Sequence, residues 1–155
     1  MEPRHIASVS FGKDSLAMLY LLIARGWPVD EIVFFNKGIE FQAIYDTRNR
    51  VLPDLEALGI PYTELYPRSP FLYDMLKRPI KYRDRPGYHY GYQWCGGPCR
   101  WATAEKLRVI RDYCADAVIY VGLAADEPQR FEKCGYSGHC DPKCFTSHKP
   151  FHFPA

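Results

Sequence analysis

Residues 6–15 read I-A-S-V-S-F-G-K-D-S, an apolar run that passes directly into a polar loop. The run predicts a buried strand, and the residues after the loop predict a helix start, whose unpaired N–H groups attract anions. Gly12 permits close backbone approach, and Lys13 supplies a positive charge. Ser10 and Ser15 add hydroxyl groups. We therefore predict a phosphate-binding loop at this junction.

The same loop has a second interpretation that needs no ligand. Asp14 or Ser15 would cap the helix, and the loop would be a plain strand-turn-helix junction. The spacing also differs from the G-x-x-x-x-G-K-[ST] pattern of the common NTPases. Other segments of the chain have to decide between the two interpretations.

Composition favours one ordinary domain. The chain has 155 residues, of which 47% are hydrophobic, and this is enough to fill a single core. Its net charge is only +2, so binding to polyanions would need local clusters of charge. No apolar run reaches the roughly 18 residues of a membrane span, and the start of the chain lacks a signal-peptide pattern. These observations predict a cytoplasmic protein with no membrane partner.

Strands and helices alternate along the chain. Strands are predicted at Ile6–Ser10, Glu31–Asn36, Tyr62–Tyr66 and Ala117–Leu123. Helices are predicted at Ser15–Arg25, Gln42–Leu58 and Arg100–Tyr113. This alternation predicts an α/β fold, a three-layer open and mostly parallel sheet with helices on both faces.

Two segments interrupt the alternation. Tyr66–Trp94 is rich in proline, tyrosine and basic residues, and we predict a long loop with at most one short helix near Leu72–Lys77. The tail at Phe131–Ala155 has no obvious regular element. Neither segment contains an internal repeat.

Three polar segments follow predicted strands, at Ser10–Ser15, Asn36–Phe41 and Leu123–Arg130. In an open parallel sheet, ligands bind beyond the carboxyl ends of the strands. We therefore expect these three segments to share one edge of the sheet, and this convergence favours the ligand-binding interpretation of the first loop.

Four segments resemble, in order, the motifs of the phosphoadenosine phosphosulfate (PAPS) reductase family, within the adenine nucleotide alpha-hydrolase (PP-loop ATP pyrophosphatase) superfamily. S-F-G-K-D-S at 10–15 resembles its pyrophosphate loop, and N-K-G-I-E-F at 36–41 resembles its D-T-G-x-E-F. W-C-G-G-P-C-R-W-A-T-A-E-K at 94–106 is similar to its W-C-x-x-x-K helix start, and G-L-A-A-D-E-P-Q-R at 122–130 is similar to its G-I-R-x-D-E-S-x-x-R. The resemblance implies a Rossmann-like nucleotide-binding domain over residues 1–131, followed by a Cys/His-rich tail at 132–155 that is either part of the same domain or a truncated remainder.

The resemblance also implies roles for individual residues. The phosphates of an adenine nucleotide would be held by Ser10, Gly12, Lys13, Asp14 and Ser15. The nucleoside would lie near Asn36, Gly38 and Glu40, and the phosphate or sulfate end near Asp126, Glu127 and Arg130. Lys13, Asp126 and Arg130 would be catalytic: Arg130 can give a bidentate fork to an oxyanion, while Asp126 or Glu127 could hold a metal ion or orient the arginine. The alternative for the two acids is the start of a helix, where acidic residues favour the dipole.

The sequence departs from the family at several positions. Asn36 and Lys37 stand where the family has an acidic residue and threonine, and Ala124 stands where an arginine is usual. No tail motif similar to E-C-G-L-H is found. The sulfonucleotide end of the substrate is therefore the part that the resemblance specifies least.

The cysteines suggest metal binding or thiol chemistry. Two pairs on predicted loops, Cys95 with Cys99 and Cys140 with Cys144, resemble the ligand pairs that hold a [4Fe-4S] cluster in some relatives. Four thiolates can hold such a cluster or a tetrahedral Zn²⁺. Free thiols without metal are the alternative. Cys114, on a predicted helix end, is expected in the core.

The segment Tyr66–Trp94 interleaves basic residues with aromatic ones. Such a mixture is typical of surfaces for single-stranded nucleic acid, and also of a lid over a nucleotide. A solvated loop with packed tyrosines is the third interpretation. A nucleic-acid partner through this segment is therefore one prediction among three.

Three functions are consistent with the sequence. The first is thiol-dependent reduction of a sulfonucleotide to sulfite, with a thiol donor such as thioredoxin. The second is an ATP pyrophosphatase that uses Mg²⁺ and adenylates a substrate for sulfur transfer, as in tRNA or DNA thiolation. The third is a truncated nucleotide-binding module without catalysis.

Overall fold

The structure is a computed structural model, which describes residues 3–92 and 100–122. Within these residues the strands are β1 (His5–Ser8), β2 (Glu31–Phe35), β3 (Tyr62–Leu65), β4 (Pro79–Lys81), β5 (Tyr88–Tyr90) and β6 (Val118–Val121). The helices are α1 (Lys13–Ala24), α2 (Gln42–Ala57), α3 (Phe71–Leu76) and α4 (Arg100–Tyr113). The predicted alternation of strands and helices is therefore present.

Four strands form one parallel sheet in the order β3-β2-β1-β6. Strand β1 lies inside the sheet, where Ala7 is paired with Ile32 on one side and with Tyr120 on the other. All five residues of β2 are buried. A strand buried on both faces needs helices above and below it, and this explains its unbroken apolar sequence.

Helices cover both faces of the sheet and complete the predicted three layers. On one face, side chains of α1 and α2 such as Leu19 and Leu55 pack with Phe34 and other strand residues. On the other face, Ile110 and Cys114 at the end of α4 pack with Ile6 and its neighbours. The predicted fold class, an open parallel α/β sheet between two helical layers, is confirmed.

The prediction for Tyr66–Trp94 was wrong in one respect, since the described part of this segment contains a hairpin as well as a short helix. Strands β4 and β5 pair antiparallel, with Lys81 opposite Tyr88. Prolines and three-residue strands hid this pairing from the sequence pattern. The helix near Leu72–Lys77 is present as α3, at Phe71–Leu76.

Helix α3 and the hairpin form one packed unit, which we call the α3–hairpin unit (residues 71–91). Gly91 has a φ of +70°, and a Cβ there would lie 1.9 Å from the carbonyl oxygen of Met75. Only glycine permits this close approach. The unit contacts the first turn of α4, because Trp101 packs on Phe71 and donates a hydrogen bond to Asp74. Since α4 runs back to the amino end of β6, that first turn lies at the carboxyl edge of the sheet.

Candidate nucleotide site

The topology places a crevice at the carboxyl end of β1. From β1 the chain goes to β2 and β3 on one side, and it returns to β6 on the other side. The order of connections reverses between β1 and β6, and open α/β sheets bind ligands at such a switch point. The predicted phosphate loop directly follows β1 and therefore lies at this crevice.

The loop is held by a small set of hydrogen bonds around Ser15. Its Oγ donates to the carbonyl oxygen of Gly12 at 3.0 Å and accepts from the backbone N–H of Ser10 at 3.2 Å. The hydroxyl of Ser10 also lies 3.2 Å from Ser15 Oγ. Since the proton of Ser15 is already donated to Gly12, the hydroxyl of Ser10 is the donor in that pair. Ser15 is buried, and its hydroxyl group holds the loop through these hydrogen bonds. Its contact with phosphate remains a prediction.

Phe11 anchors the loop in the core, a role that the sequence analysis missed. It is 2% exposed, and its ring packs edge-on against Phe34 at 5.3 Å between centroids. Its φ of +56° lies in the left-handed region, which is uncommon for a bulky residue and tends to mark functional turns. The signal for it was one aromatic residue in an otherwise polar loop.

The start of α1 offers donors to an anion. Gly12 is the N-cap residue, and among the described residues no side chain makes a capping hydrogen bond there. The N–H of Leu16 is paired with the carbonyl of Gly12, at the point where the helical pattern starts. Within the described residues, the first N–H groups of α1 therefore have no side-chain partner at this end of β1, and this speaks against a plain helix cap by Asp14 or Ser15.

Lys13 adds a mobile positive charge to these donors. Its side chain is 87% exposed, and its Nζ lies 3.6 Å from a carboxylate oxygen of Asp14. An exposed pair of this kind is weak, so the ammonium group can move to a phosphate at little cost. The structure thus brings Ser10, Gly12, Lys13, Asp14 and Ser15 together at one helix start.

Gly122 fixes this helix start from the far side of the crevice. It directly follows β6, and a Cβ there would lie 2.7 Å from the carbonyl oxygen of Asp14 and 2.8 Å from Cα of Ser15. Both contacts are with backbone atoms of α1, which cannot move aside locally. A glycine at this position is therefore required for the observed approach of β6 to the phosphate loop.

The second predicted segment, at Asn36–Phe41, follows β2 at the same edge. Asn36 is buried, and its Oδ1 accepts hydrogen bonds from the N–H of Gly38 and the hydroxyl of Tyr45, both at 2.8 Å. Its Nδ2 donates to Glu64 at 2.6 Å. Glu40 forms an ion pair with Lys37 at 3.0 Å. These contacts order the loop, and the predicted contacts of Asn36, Gly38 and Glu40 with a nucleoside remain predictions.

Glu64 is the centre of a polar network that no sequence motif indicated. Besides the bond from Asn36, it accepts hydrogen bonds from Arg48 at 3.0 Å and from the hydroxyl of Tyr62 at 3.1 Å. Burial alone would raise the pKa of Glu64, but hydrogen bonds from Asn36, Tyr66 and Tyr62 and the charge of Arg48 lower it overall. Burial also raises the pKa of Tyr62, and the neighbouring carboxylate adds to that rise. The network therefore contains a charged carboxylate and a neutral phenol.

Several predicted site residues lie outside the described part of the chain. These are Asp126, Glu127 and Arg130, together with the four candidate metal ligands Cys95, Cys99, Cys140 and Cys144. Within residues 3–92 and 100–122, no group of three or more metal-binding side chains is found. No helix among the described residues has the length and apolar character needed to cross a membrane. Cys114 is buried in the core, as predicted.

The fold and the loop define an α/β domain with a candidate anion site at its switch point. Residues 4–71 match the family model of the phosphoadenosine phosphosulfate reductase domain, a segment that covers fewer than half of the 155 residues. This segment contains β1, α1, β2, α2 and β3, and with them the phosphate loop and the Asn36–Phe41 loop. No match was found among curated proteins or among solved structures.

Residues 4–71 are therefore similar to the phosphoadenosine phosphosulfate reductase domain, and the resemblance stated from the sequence is confirmed for this segment. Proteins of this family are generally enzymes that bind adenine nucleotide substrates, so the match indicates a nucleotide-binding function connected with sulfonucleotides. The reaction itself is a separate question.

Proposed function

We propose that the protein binds an adenine nucleotide at the β1–α1 loop and reduces a sulfonucleotide to sulfite with the help of thiols. The observation that carries the proposal is the start of α1, where unpaired N–H groups and the exposed Lys13 face the switch point of a PAPS reductase domain. Phosphates carry the negative charge that such a site attracts. The thiol chemistry follows from the family and from the six cysteines of the chain.

The reaction balances with two thiols. A thiolate attacks the sulfonyl sulfur of the substrate, a sulfur–sulfur bond forms, and the bond from that sulfur to the phosphate oxygen breaks. The nucleotide leaves with the electron pair of that bond. A second thiol then attacks the first cysteine sulfur, a disulfide forms, and sulfite leaves. The substrate sulfur is reduced, and the two thiols are oxidised.

The binding step is tested by thermal shift with ATP, AMP, adenylylsulfate and PAPS. Lys13→Ala should reduce the shift caused by the preferred nucleotide, because it removes the mobile charge at the loop. Arg50→Ala is the control, because Arg50 is an exposed basic residue of α2. If Lys13→Ala leaves every nucleotide shift unchanged, the phosphate-loop assignment is wrong. Thiol-dependent release of sulfite, measured with the preferred sulfonucleotide, tests the reaction.

A second candidate is an ATP pyrophosphatase that adenylates a nucleic acid for sulfur transfer. The charge and the exposed aromatic residues of the hairpin region favour this candidate. Residues 66–92 contain six Lys and Arg residues against two Asp, whereas the whole chain has a net charge of only +2. On the hairpin Lys81, Tyr88 and Tyr90 are exposed, whereas the intervening His89 is partly buried. Positive charge beside exposed aromatic rings is typical of surfaces that bind single strands.

Pyrophosphate release from ATP with Mg²⁺, measured with and without single-stranded RNA or DNA, separates the candidates. The second candidate predicts that nucleic acid binds in a salt-dependent manner and stimulates release. Tyr88→Ala and Tyr90→Ala should each weaken binding by about tenfold, because one stacking ring is lost. Tyr20→Ala on α1 is the matched control, because Tyr20 is also exposed. Binding of a nucleotide without sulfite or pyrophosphate release would instead support a non-catalytic module.

The predicted metal site at Cys95, Cys99, Cys140 and Cys144 is part of the proposal. Four thiolates would suit a [4Fe-4S] cluster or Zn²⁺. Metal analysis of protein prepared without oxygen tests it, because absence of both iron and zinc would remove the assignment.

A further inference from the structure

A cavity of about 420 Å³ lies between the α3–hairpin unit and α4, and it shares no residue with the β1–α1 loop. Eight residues line it, from the loop after β3, from α3 and the start of the hairpin, and from α4: Arg68, Ser69, Tyr73, Asp74, Arg78, Pro79, Glu105 and Arg108. This volume falls in the range of pockets that hold small molecules. Three arginines and two carboxylates in one cavity indicate a polar, charged ligand.

Asp74 fixes one wall of the cavity. It is 1% exposed, and its Oδ1 accepts a hydrogen bond from the hydroxyl of Ser69 at 2.9 Å. Arg78 lies 3.4 Å from the same oxygen, and the indole N–H of Trp101 donates to Oδ2 at 2.6 Å. Both carboxylate oxygens are therefore occupied. Asp74 therefore orients Ser69 and Arg78 at the cavity wall.

In the described part of the chain, each of the three arginines is held by one carboxylate, and its other N–H donors have no hydrogen-bond acceptor. Arg68 pairs with Asp112, Arg78 with Asp74, and Arg108 with Glu105 at 2.7 Å. A guanidinium group has five N–H donors, and one carboxylate contact occupies only part of them. All three side chains are about half exposed, so the remaining donors can reach a ligand. Three guanidinium groups around one cavity are suited to a tetrahedral oxyanion.

The carboxylate of Glu105 indicates that the ligand carries a hydrogen-bond donor. Glu105 is 6% exposed, its Oε1 is paired with Arg108, and its Oε2 is shielded from water and has no hydrogen-bond partner within residues 3–92 and 100–122. A buried carboxylate oxygen without a donor is costly, and it is uncommon in folded proteins. Rotation about the last torsion of the side chain is soft, so a donor in the cavity could satisfy this oxygen.

We propose that this cavity binds a tetrahedral oxyanion that keeps a proton, namely hydrogen phosphate. The arginines donate to its oxygens, and its remaining P–OH group donates to the carboxylate of Glu105. Sulfate has the same shape and, at about pH 8, the same charge, but it has no proton to donate. Bound sulfate would therefore leave Oε2 of Glu105 without a hydrogen-bond donor, and its negative charge would lie next to that carboxylate and repel it. The proposal does not depend on the function proposed for the β1–α1 loop.

The test uses the full chain and a signal from the cavity wall. The indole N–H of Trp101 is hydrogen-bonded to Asp74, so its NMR resonance, assigned with Trp101→Phe, should move when the cavity fills. Titration of this resonance with inorganic phosphate and with sodium sulfate at about pH 8 should give phosphate an affinity about tenfold higher. Because the signal is local, anion binding at the β1–α1 loop does not imitate it.

Glu105→Gln is the decisive variant. A glutamine amide can donate to sulfate, so sulfate affinity should rise and the preference for phosphate should disappear. Glu56→Gln, an exposed residue of α2, should leave the preference unchanged. Arg78→Ala should lower the affinity for both phosphate and sulfate. Two results would overturn the proposal: equal affinity of the wild-type protein for the two anions, or an unchanged preference for phosphate in folded Glu105→Gln. If Glu105→Gln does not fold, the proposal is tested by the preference of the wild-type protein and by the affinities of Arg78→Ala. Nucleotide thermal shifts of the same variants show separately whether the β1–α1 site is intact.

Discussion

The loops after β1 and β2 lie at the same edge of one parallel sheet, but their polar groups are used in opposite ways. The loop after β1 pairs Ser10 and Ser15 among themselves and leaves the first N–H groups of α1 facing the crevice. The loop after β2 satisfies the polar atoms of Asn36 with Gly38, Tyr45 and Glu64. We call the first the open loop and the second the closed loop.

The difference shows which part of the edge can take up an anion and which part supports it. Unpaired N–H donors can bind an anion without first breaking a hydrogen bond within the protein, because only water occupies them in its absence. A fully paired network gains nothing from a ligand unless one of its bonds breaks first. Beside the closed loop, the carboxylate of Glu64 on β3 also pairs with the guanidinium group of Arg48 on α2 and neutralises its charge. We therefore expect phosphates at the open loop, and we expect the closed loop to set the shape of the edge beside it.

The largest effect is expected where β6 touches the open loop. Gly122→Ala places a Cβ within 2.7–2.9 Å of three backbone atoms of Asp14 and Ser15, so the first turn of α1 must move. We expect a loss of about 2 kcal/mol in the free energy of unfolding and loss of the nucleotide thermal shift. Chemical denaturation measures the first quantity.

Gly12→Ala is the matched control for this prediction. Its Cβ would meet Ser10 Oγ at 3.6 Å, which is an ordinary contact, and the φ of Gly12 is −80°. The free energy of unfolding should therefore change by less than about 1 kcal/mol. Equal stability of the two variants would contradict the close packing of β6 on the helix start.

A smaller effect is expected at the closed loop. Glu64→Gln removes a charge that accepts hydrogen bonds from Asn36, Arg48 and Tyr62, so we expect a loss of about 1 kcal/mol in the free energy of unfolding near neutral pH. The pKa of Glu64 is lowered in the folded state, and its contribution is therefore complete above the pKa of the unfolded chain. It is lost as the pH falls through the lower, folded value.

The measurement is the difference in unfolding free energy between wild type and Glu64→Gln, from neutral to acidic pH. The difference should shrink on the acidic side of the ordinary glutamate pKa of 4.5. Glu56→Gln serves as control, because an exposed glutamate should give a small difference at every pH. A constant difference for Glu64→Gln would show that its carboxylate is not stabilised in the folded state.

The comparison also shows what the sequence could predict. The strands of the large sheet and their helices lie within two residues of the predicted bounds, and α4 has the predicted ones, because continuous apolar runs and helical spacing are local signals. The open loop was predicted for the same reason, since six consecutive residues contain its parts. The Asn36–Phe41 segment was also predicted at this edge, but its polar network was not, because Asn36, Arg48 and Glu64 meet only after α2 and β3 have folded onto β2.

The hairpin and the role of Gly122 were also not predicted, because neither produces a local sequence pattern. The hairpin pairs strands of three residues each, which are too short to show alternation. The role of Gly122 depends on the close approach of β6 to α1, more than a hundred residues away in the chain. Local patterns thus predict the elements and the position of the candidate anion loop, whereas contacts distant in sequence decide how the edge around that loop is built.

The smallest effect is expected at Cys114, and it bears on where the sulfur chemistry takes place. This thiol is 4% exposed in the core under α4, and burial, with a further contribution from the charge of Glu31, raises its pKa to about 11. At about pH 8 the thiolate is then on the order of 0.1% of the total, so Cys114 is a poor nucleophile. We expect native protein to protect Cys114 from iodoacetamide at least about tenfold relative to protein in urea, with mass spectrometry of the labelled peptide as the measurement. Cys114→Ala should leave sulfite release unchanged; loss of sulfite release in a folded variant would place the nucleophile in the core, on the face away from α1, and would separate the reacting thiol from the open loop.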